Sequence, residues 1–173
     1  MKKFLKISAT LIVLLAALLI IYINITLPGL PAGANEIINK AVKSELPDLK
    51  GQTGYAYNGD VKIWYESISP KDSIKGVVLL IMGISNDALA FPNYFLAPFL
   101  ENGYRLIRFD NRGTGMTDWM EDWTKENTYT LEDIAADAIA ILDKLQIEKV
   151  HVFGVSLGGM IAQTFAIEYP ERT

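Results

Sequence analysis

Two kinds of apolar pattern alternate along this chain. Continuous or every-other-residue runs read as strands, and stripes recurring every three or four residues read as helices. Gly54–Ile68 comes first: Tyr55 and Tyr57 alternate with small residues, Asn58-Gly59 signals a two-residue turn, and Val61, Ile63 and Tyr65 alternate again, so a β-hairpin is predicted. Gly76–Met82 is apolar throughout, as suits a parallel strand covered on both faces. A loop, Gly83–Pro92, then leads into a helical stretch through Asn102, with Gly103 placed to end it. Pro98 must either kink that helix or begin a shorter one. Tyr104–Asp110 is the next strand, and Asn111-Arg112-Gly113-Thr114-Gly115 follows as a glycine-rich turn. Thr130, with Asp133 three residues on, caps a helix whose stripe is Leu131, Ile134, Ala135, Ala138, Ile141, Leu142 and Leu145. Finally a run of β-branched and aromatic residues from Val150 breaks at Gly154-Val155-Ser156-Leu157-Gly158. A helical pattern (Met160, Ile161, Ala162, Phe165, Ala166, Ile167) follows at once. Strands alternating with helices after a hairpin predict an α/β domain with a mostly parallel sheet and an N-terminal antiparallel hairpin.

A different pattern precedes the domain. Ile7–Leu27 is uncharged and mostly aliphatic, long enough as a helix to cross the roughly 30 Å hydrocarbon core. Lys2, Lys3 and Lys6 lie before it, which predicts one transmembrane helix with a cytoplasmic N-terminus and the domain outside. The alternative is a cleaved signal peptide, cut near Ala34 in Ala32-Gly33-Ala34 to give a secreted or periplasmic product. Signal cores usually run about 7–15 residues, and this run is longer, so a retained anchor is the expectation. The resulting organisation is 1–27 anchor or signal segment, 28–52 linker with a short helical stretch at Asn35–Lys43, and 53–173 the α/β domain.

Composition narrows the function classes. With no cysteine, neither disulfides nor thiolate chemistry is available. The net charge of −4 becomes more negative once the three leading lysines are set aside, and no basic patch or aromatic-basic weave suggests nucleic acid. No cluster has metal-ligand spacing. The glycines at 154–159 lack the Lys-Ser/Thr of a phosphate loop and miss the dinucleotide fingerprint, so no cofactor is expected.

What remains is Ser156, at a strand–sharp turn–helix junction with glycine two places to either side. Gly-x-Ser-x-Gly in this setting resembles the nucleophile elbow of the α/β-hydrolase family, and the upstream segments resemble that family in order. The resemblance implies that Ser156 is the nucleophile and that the oxyanion is held by the N–H groups of Leu157 and Ile84. Met82-Gly83 stands where many relatives carry His-Gly, which is similar to an aclacinomycin-methylesterase-like subgroup. Asp110 and Arg112, in a turn resembling the family's, are expected to be structural. Phe91, Tyr94, Phe95, Phe99, Trp119, Trp123 and Tyr129 surround the expected pocket but read first as packing residues.

A serine needs a base. His151, the sole histidine, lies five residues before Ser156 on the same strand, on the order of 15 Å away at about 3.3 Å per residue, too far to take its proton. In the family the acid and histidine follow the nucleophile. Both are therefore expected beyond Thr173, and the chain reads as the N-terminal part of a longer serine hydrolase acting on an ester-like bond in a small molecule. Alone, it is expected to be inactive. A non-catalytic envelope protein that keeps the scaffold for binding or signalling is the alternative. Perhydrolase, thioesterase or C–C hydrolase chemistry on the same fold also stays open, whereas epoxide and haloalkane chemistry would place an aspartate where Ser156 stands. Oligomeric state is not legible.

Overall fold

A computed structural model describes residues 15–19, 22, 33, 34, 36, 49–119, 124 and 128–173. The chain divides into two compact units, Met1–Ser44 and Glu45–Thr173. In the first, residues 15–19 and 22 are helical. Among the described residues no helix is long and apolar enough to cross a membrane. Most of the expected anchor, and most of the expected stretch Asn35–Lys43, lie outside the described residues.

The second unit begins with a hairpin, β1 (Gln52–Asn58) and β2 (Val61–Ile68), paired from Gln52 opposite Ser67 to Asn58 opposite Val61. Its loop residues are Gly59 and Asp60, one place later than the Asn58-Gly59 signal suggests. Gly59 carries the positive φ of 58°, as a first loop position requires in a II′-type turn. Asn58 is drawn into the strand, where its side-chain amide donates to the Asp137 carboxylate at 2.8 Å.

β3 (Gly76–Ile81), α1 (Asn93–Glu101), β4 (Tyr104–Phe109), α2 (Leu131–Lys144), β5 (His151–Gly154) and α3 (Leu157–Glu168) follow. The sheet order is β1-β2-β4-β3-β5: β2 runs antiparallel to both β1 and β4, and β4, β3 and β5 are mutually parallel. β3 is an interior strand, between β4 and β5, and its side chains feed two cores. Leu79 and Ile81 pack with Ile107 and Phe109 beneath Ile134, Ala138 and Ile141 of α2 and Ile161 and Phe165 of α3. Val78 and Leu80 pack on the other face with Leu106, Phe91 and Leu96. Being covered on both faces is why β3 reads as unbroken apolar sequence.

α2 starts at a capping box: the Asp133 N–H donates to the Thr130 hydroxyl, and the Thr130 N–H donates back to the Asp133 carboxylate. α1 continues unbroken over Pro98, which is exposed; the Asn102 amide donates to the Pro98 carbonyl at 2.7 Å and closes the last turn. Two ion pairs are buried, one within the sheet and one between the turn after β4 and α2. Arg108 pairs with Glu66, its cross-strand neighbour, at 2.6 Å through Nε, and Arg112 grips the fully buried Asp137 of α2 through Nε at 2.8 Å and through Nη2.

Candidate active site

β5 ends at Gly154, and the Val155 N–H still donates to the Ile81 carbonyl at 3.1 Å, carrying the β3–β5 ladder one residue further. The chain then turns. Ser156 has φ 53° and ψ −119°, a conformation that L-residues avoid and that costs on the order of 1–3 kcal/mol. Bonds from Gly158 N–H to the Val155 carbonyl (2.9 Å) and from Gly159 N–H to the Ser156 carbonyl (2.8 Å) close the bend. The reversal is so tight that a methyl group on Gly154 would overlap the Gly158 carbonyl. One on Gly158 would overlap the Ile81 oxygen and fall 2.8 Å from that of Met82. Glycine at these two positions is thus set by backbone meeting backbone.

Ser156 is exposed at the crest. Leu157 opens α3, so its N–H has no intrahelical acceptor and lies at the positive end of the helix. Across from the serine runs the segment after β3. Gly83 is buried against it: a Cβ there would lie 3.2 Å from the Ser156 Cβ and 3.8 Å from its Oγ. Ile84 follows with its side chain 69% exposed, and Ser85 has φ 63°. Among the described residues neither the Ile84 nor the Leu157 N–H has a hydrogen-bond partner. Of the sequence-predicted trio, Leu157 directly follows Ser156, and Ile84 directly follows the Gly83 that packs against the serine.

His151 sits elsewhere. It opens β5 opposite Val78, and its ring packs edge-on against Tyr104, the first residue of β4, with centroids 5.8 Å apart. The length of β5 separates it from the serine. Among the described residues no group of metal-ligating side chains gathers.

Residues at the end of β4 underlie the site. The buried Asp110 carboxylate accepts the Ala88 and Met116 N–H groups, each at 2.8 Å. Burial pushes its pKa up, those two N–H bonds oppose the rise, and the neighbouring Asp87 adds to it. The Asn111 amide donates to the Met82 carbonyl at 3.0 Å, while its own oxygen is buried with no partner among the described residues. Sequence reasoning passed over Asn111; an amide directly after the β4 aspartate, level with the end of β3, was the available signal.

Beside the elbow an apolar groove of about 400 Å³ is lined by Met82, Phe91, Tyr94, Phe95, Phe153 and Val155. Phe95 stacks with Phe91 at 5.7 Å and leans on Phe153 at 5.0 Å. Phe99 packs against the core on the α1 side, and Trp119 is exposed, its indole donating to the Gly115 carbonyl. Tyr129 belongs to the opposite core and donates to the Arg112 carbonyl. Trp123 lies outside the described residues.

Known proteins share this arrangement. The family profile for the alpha/beta hydrolase fold matches residues 76–172. Rhodomycin D methylesterase of Streptomyces peucetius is 35% identical over 115 residues, 66% of this chain and 37% of that protein. 3-Oxoadipate enol-lactonase 1 of Acinetobacter baylyi is 43% identical over 73 residues, 42% of this chain and 25% of that one. A hydrolase from Pseudomonas aeruginosa shares the fold with a TM-score of 0.59 at 24% identity, over 70% of this chain and 43% of that one. This chain spans less than half the length of these relatives. Strand order, elbow and matched segment agree: the chain belongs to the α/β-hydrolase family.

Proposed function

We propose that this chain carries the nucleophile half of a serine hydrolase that cleaves a small-molecule carboxylic ester or lactone. The observation that carries the reading is the exposed Ser156 at φ 53°, at a bend between β5 and α3 against which Gly83 packs; the N–H groups of Leu157 and Ile84, which have no hydrogen-bond partner among the described residues, are the candidate oxyanion donors. In this reading the Ser156 Oγ bonds to the substrate's carbonyl carbon and its proton passes to a base. The carbonyl electron pair moves onto oxygen, where the two N–H groups stabilise the negative charge. Collapse expels the alcohol, which takes the proton back, and water then repeats the sequence to release the acid and restore Ser156. With His151 at the far end of β5, the base and its orienting acid come from outside these 173 residues. Ester and lactone substrates are favoured because the methylesterase and enol-lactonase relatives bear those names.

Ile7–Leu27 anchors the protein in the cytoplasmic membrane, the domain lying outside, a reading supported by the leading lysines and the uncharged run. Retention of the chain in carbonate-washed membranes checks this, and loss of the first 34 residues from the mature protein would overturn it.

The chemistry is tested on the 173-residue chain with p-nitrophenyl butyrate. Turnover no faster than that of Ser156→Ala is expected, and free imidazole, added as a surrogate base, should produce an acyl group on Ser156 detectable by peptide mass spectrometry. No acylation with imidazole, or serine-dependent turnover without it, would refute the assignment.

A further inference from the structure

We infer that Asp110 and Asn111 are the positioning residues of the Ile84 N–H: two consecutive side chains at the end of β4 grip the two ends of the segment Gly83–Asp87. The inference rests on the serine chemistry proposed above and says what holds one of its two oxyanion donors in place.

The segment itself supplies only a turn and one long contact. Ile84, Ser85 and Asn86 are exposed; Ile84 and Ser85 form a turn, and no backbone–backbone hydrogen bond of good geometry ties residues 83–86 to another described residue. Within it the Asn86 amide makes a long, 3.5 Å approach to the Ile84 carbonyl. Ser85 at φ 63° stores strain that a free loop would release by relaxing. The geometry must therefore be imposed at the ends.

At the upstream end the β3–β4 ladder stops at Ile81 opposite Phe109, and Met82 is buried, so its carbonyl needs a donor from elsewhere. The Asn111 amide is that donor, at 3.0 Å. At the downstream end the fully buried Ala88 directs its N–H onto Asp110 Oδ1 at 2.8 Å, and Arg108 Nη1 approaches the Ala88 carbonyl at 3.4 Å. Both jaws are themselves fixed. Asp110 receives the Met116 N–H on its other oxygen, donates its N–H to Trp64 and accepts the Thr117 hydroxyl on its carbonyl. The Asn111 carbonyl accepts both the N–H and the hydroxyl of Thr114. The position of Ile84 relative to Ser156 is thus dictated by β4. That matters because an oxyanion donor is worth about 10²–10³ in rate only when held within roughly 0.5 Å of its place.

The experiment uses the ¹⁵N-labelled full chain in detergent micelles with butylboronic acid, which forms a reversible tetrahedral adduct on a serine oxygen, and with free imidazole as the surrogate base that takes the serine proton. In wild type, the amide resonances of Ile84 and Leu157 shift on adduct formation, and Ser156→Ala abolishes both shifts. In Asn111→Leu the Leu157 response persists while the Ile84 response is lost. Ala88, which Asn111 does not touch, exchanges its amide hydrogen up to about tenfold faster, with Leu106 and Ile107 in β4 unchanged. Asn111→Gln, which keeps an amide, restores the Ile84 response. Asp110→Ala removes the acceptor of the Ala88 N–H at the other jaw and reproduces the loss, so the test survives if the leucine variant does not fold. A wild-type Ile84 response in the folded variants of both residues overturns the clamp alone. Silence of both amides in the wild type overturns the serine reading, and the clamp's role with it.

Discussion

Gly158 and Gly159 are neighbours in the first turn of α3, and replacing each by alanine should have opposite effects. A methyl on Gly158 overlaps the Ile81 carbonyl oxygen and reaches 2.8 Å from that of Met82. Both obstacles are backbone, so no rotamer change relieves them. Non-bonded carbon and oxygen settle at about 3.3–3.6 Å, which requires the turn to back away from β3 by on the order of 1 Å. Overpacking of this kind costs about 1–3 kcal/mol, and two simultaneous backbone clashes put Gly158→Ala at the upper end, near 3 kcal/mol. At Gly159 the nearest atom to a new methyl is the Gly154 carbonyl oxygen at 3.5 Å, an ordinary contact. There alanine gains helix propensity, about 0.5–1 kcal/mol. The two variants should therefore differ by about 3–4 kcal/mol, roughly 2 M in urea midpoint for a domain of this size. Urea unfolding followed by intrinsic fluorescence, with the buried Trp64 as a reporter, reads the difference. Equal midpoints, or a Gly159 variant less stable than the Gly158 one, would refute the claim that close backbone approach dictates the glycines of the elbow.

Three further outcomes are expected. Asp137→Leu or Arg112→Met alone should each cost about 3–5 kcal/mol by stranding the partner charge, whereas the double substitution recovers most of it; additive losses in a urea double-mutant cycle would show the pair to be uncoupled. Burial raises the Asp110 pKa above its ordinary 3.8, so the folded chain holds that proton more tightly than the unfolded one. The group's contribution to stability is then greatest at low pH and falls as pH climbs from 3.8 through the raised value. Asp110→Asn removes this slope, and its deficit against wild type should narrow with rising pH in unfolding experiments; a widening deficit refutes the sign. Thr130→Ala should cost about 1 kcal/mol through loss of the α2 cap, measured as a lower unfolding midpoint, and an unchanged midpoint would mean the box is not stabilising.

The elements most legible in the sequence are those whose cause is local. Continuous apolar residues from Val77 to Ile81 mark a strand buried on both faces, and the Thr130–Asp133 pair marks a helix start. The paired glycines around Ser156 mark a bend because the steric conflict lies within a few residues. Features set by distant partners were not legible. Asp137 interrupts the apolar face of α2 with a buried carboxylate, intelligible only once Arg112, 25 positions back, and Asn58, 79 positions back, converge on it. The same contact holds Asn58 in β1 and moves the hairpin loop to Gly59-Asp60. Pro98 could be placed inside a helix only after knowing that it faces outward. At the site, Ser156 is found from its own neighbours, whereas Asn111 matters through a carbonyl 29 positions earlier.

The order β4-β3-β5 has a consequence for how the polypeptide is made. β3 is the most apolar strand and lies inside the sheet, yet one of its edges is filled only after the chain has run on through β4 and α2. Until then Val77–Ile81, with neither charge nor proline, offers an open row of amides and carbonyls to any similar segment nearby. A nascent or partly melted chain is therefore most adhesive along this stretch, and the arrival of His151–Gly154 masks it. The docking that lifts the serine into place also silences the polypeptide's stickiest surface, so defects at the bend should surface in cells first as clumping.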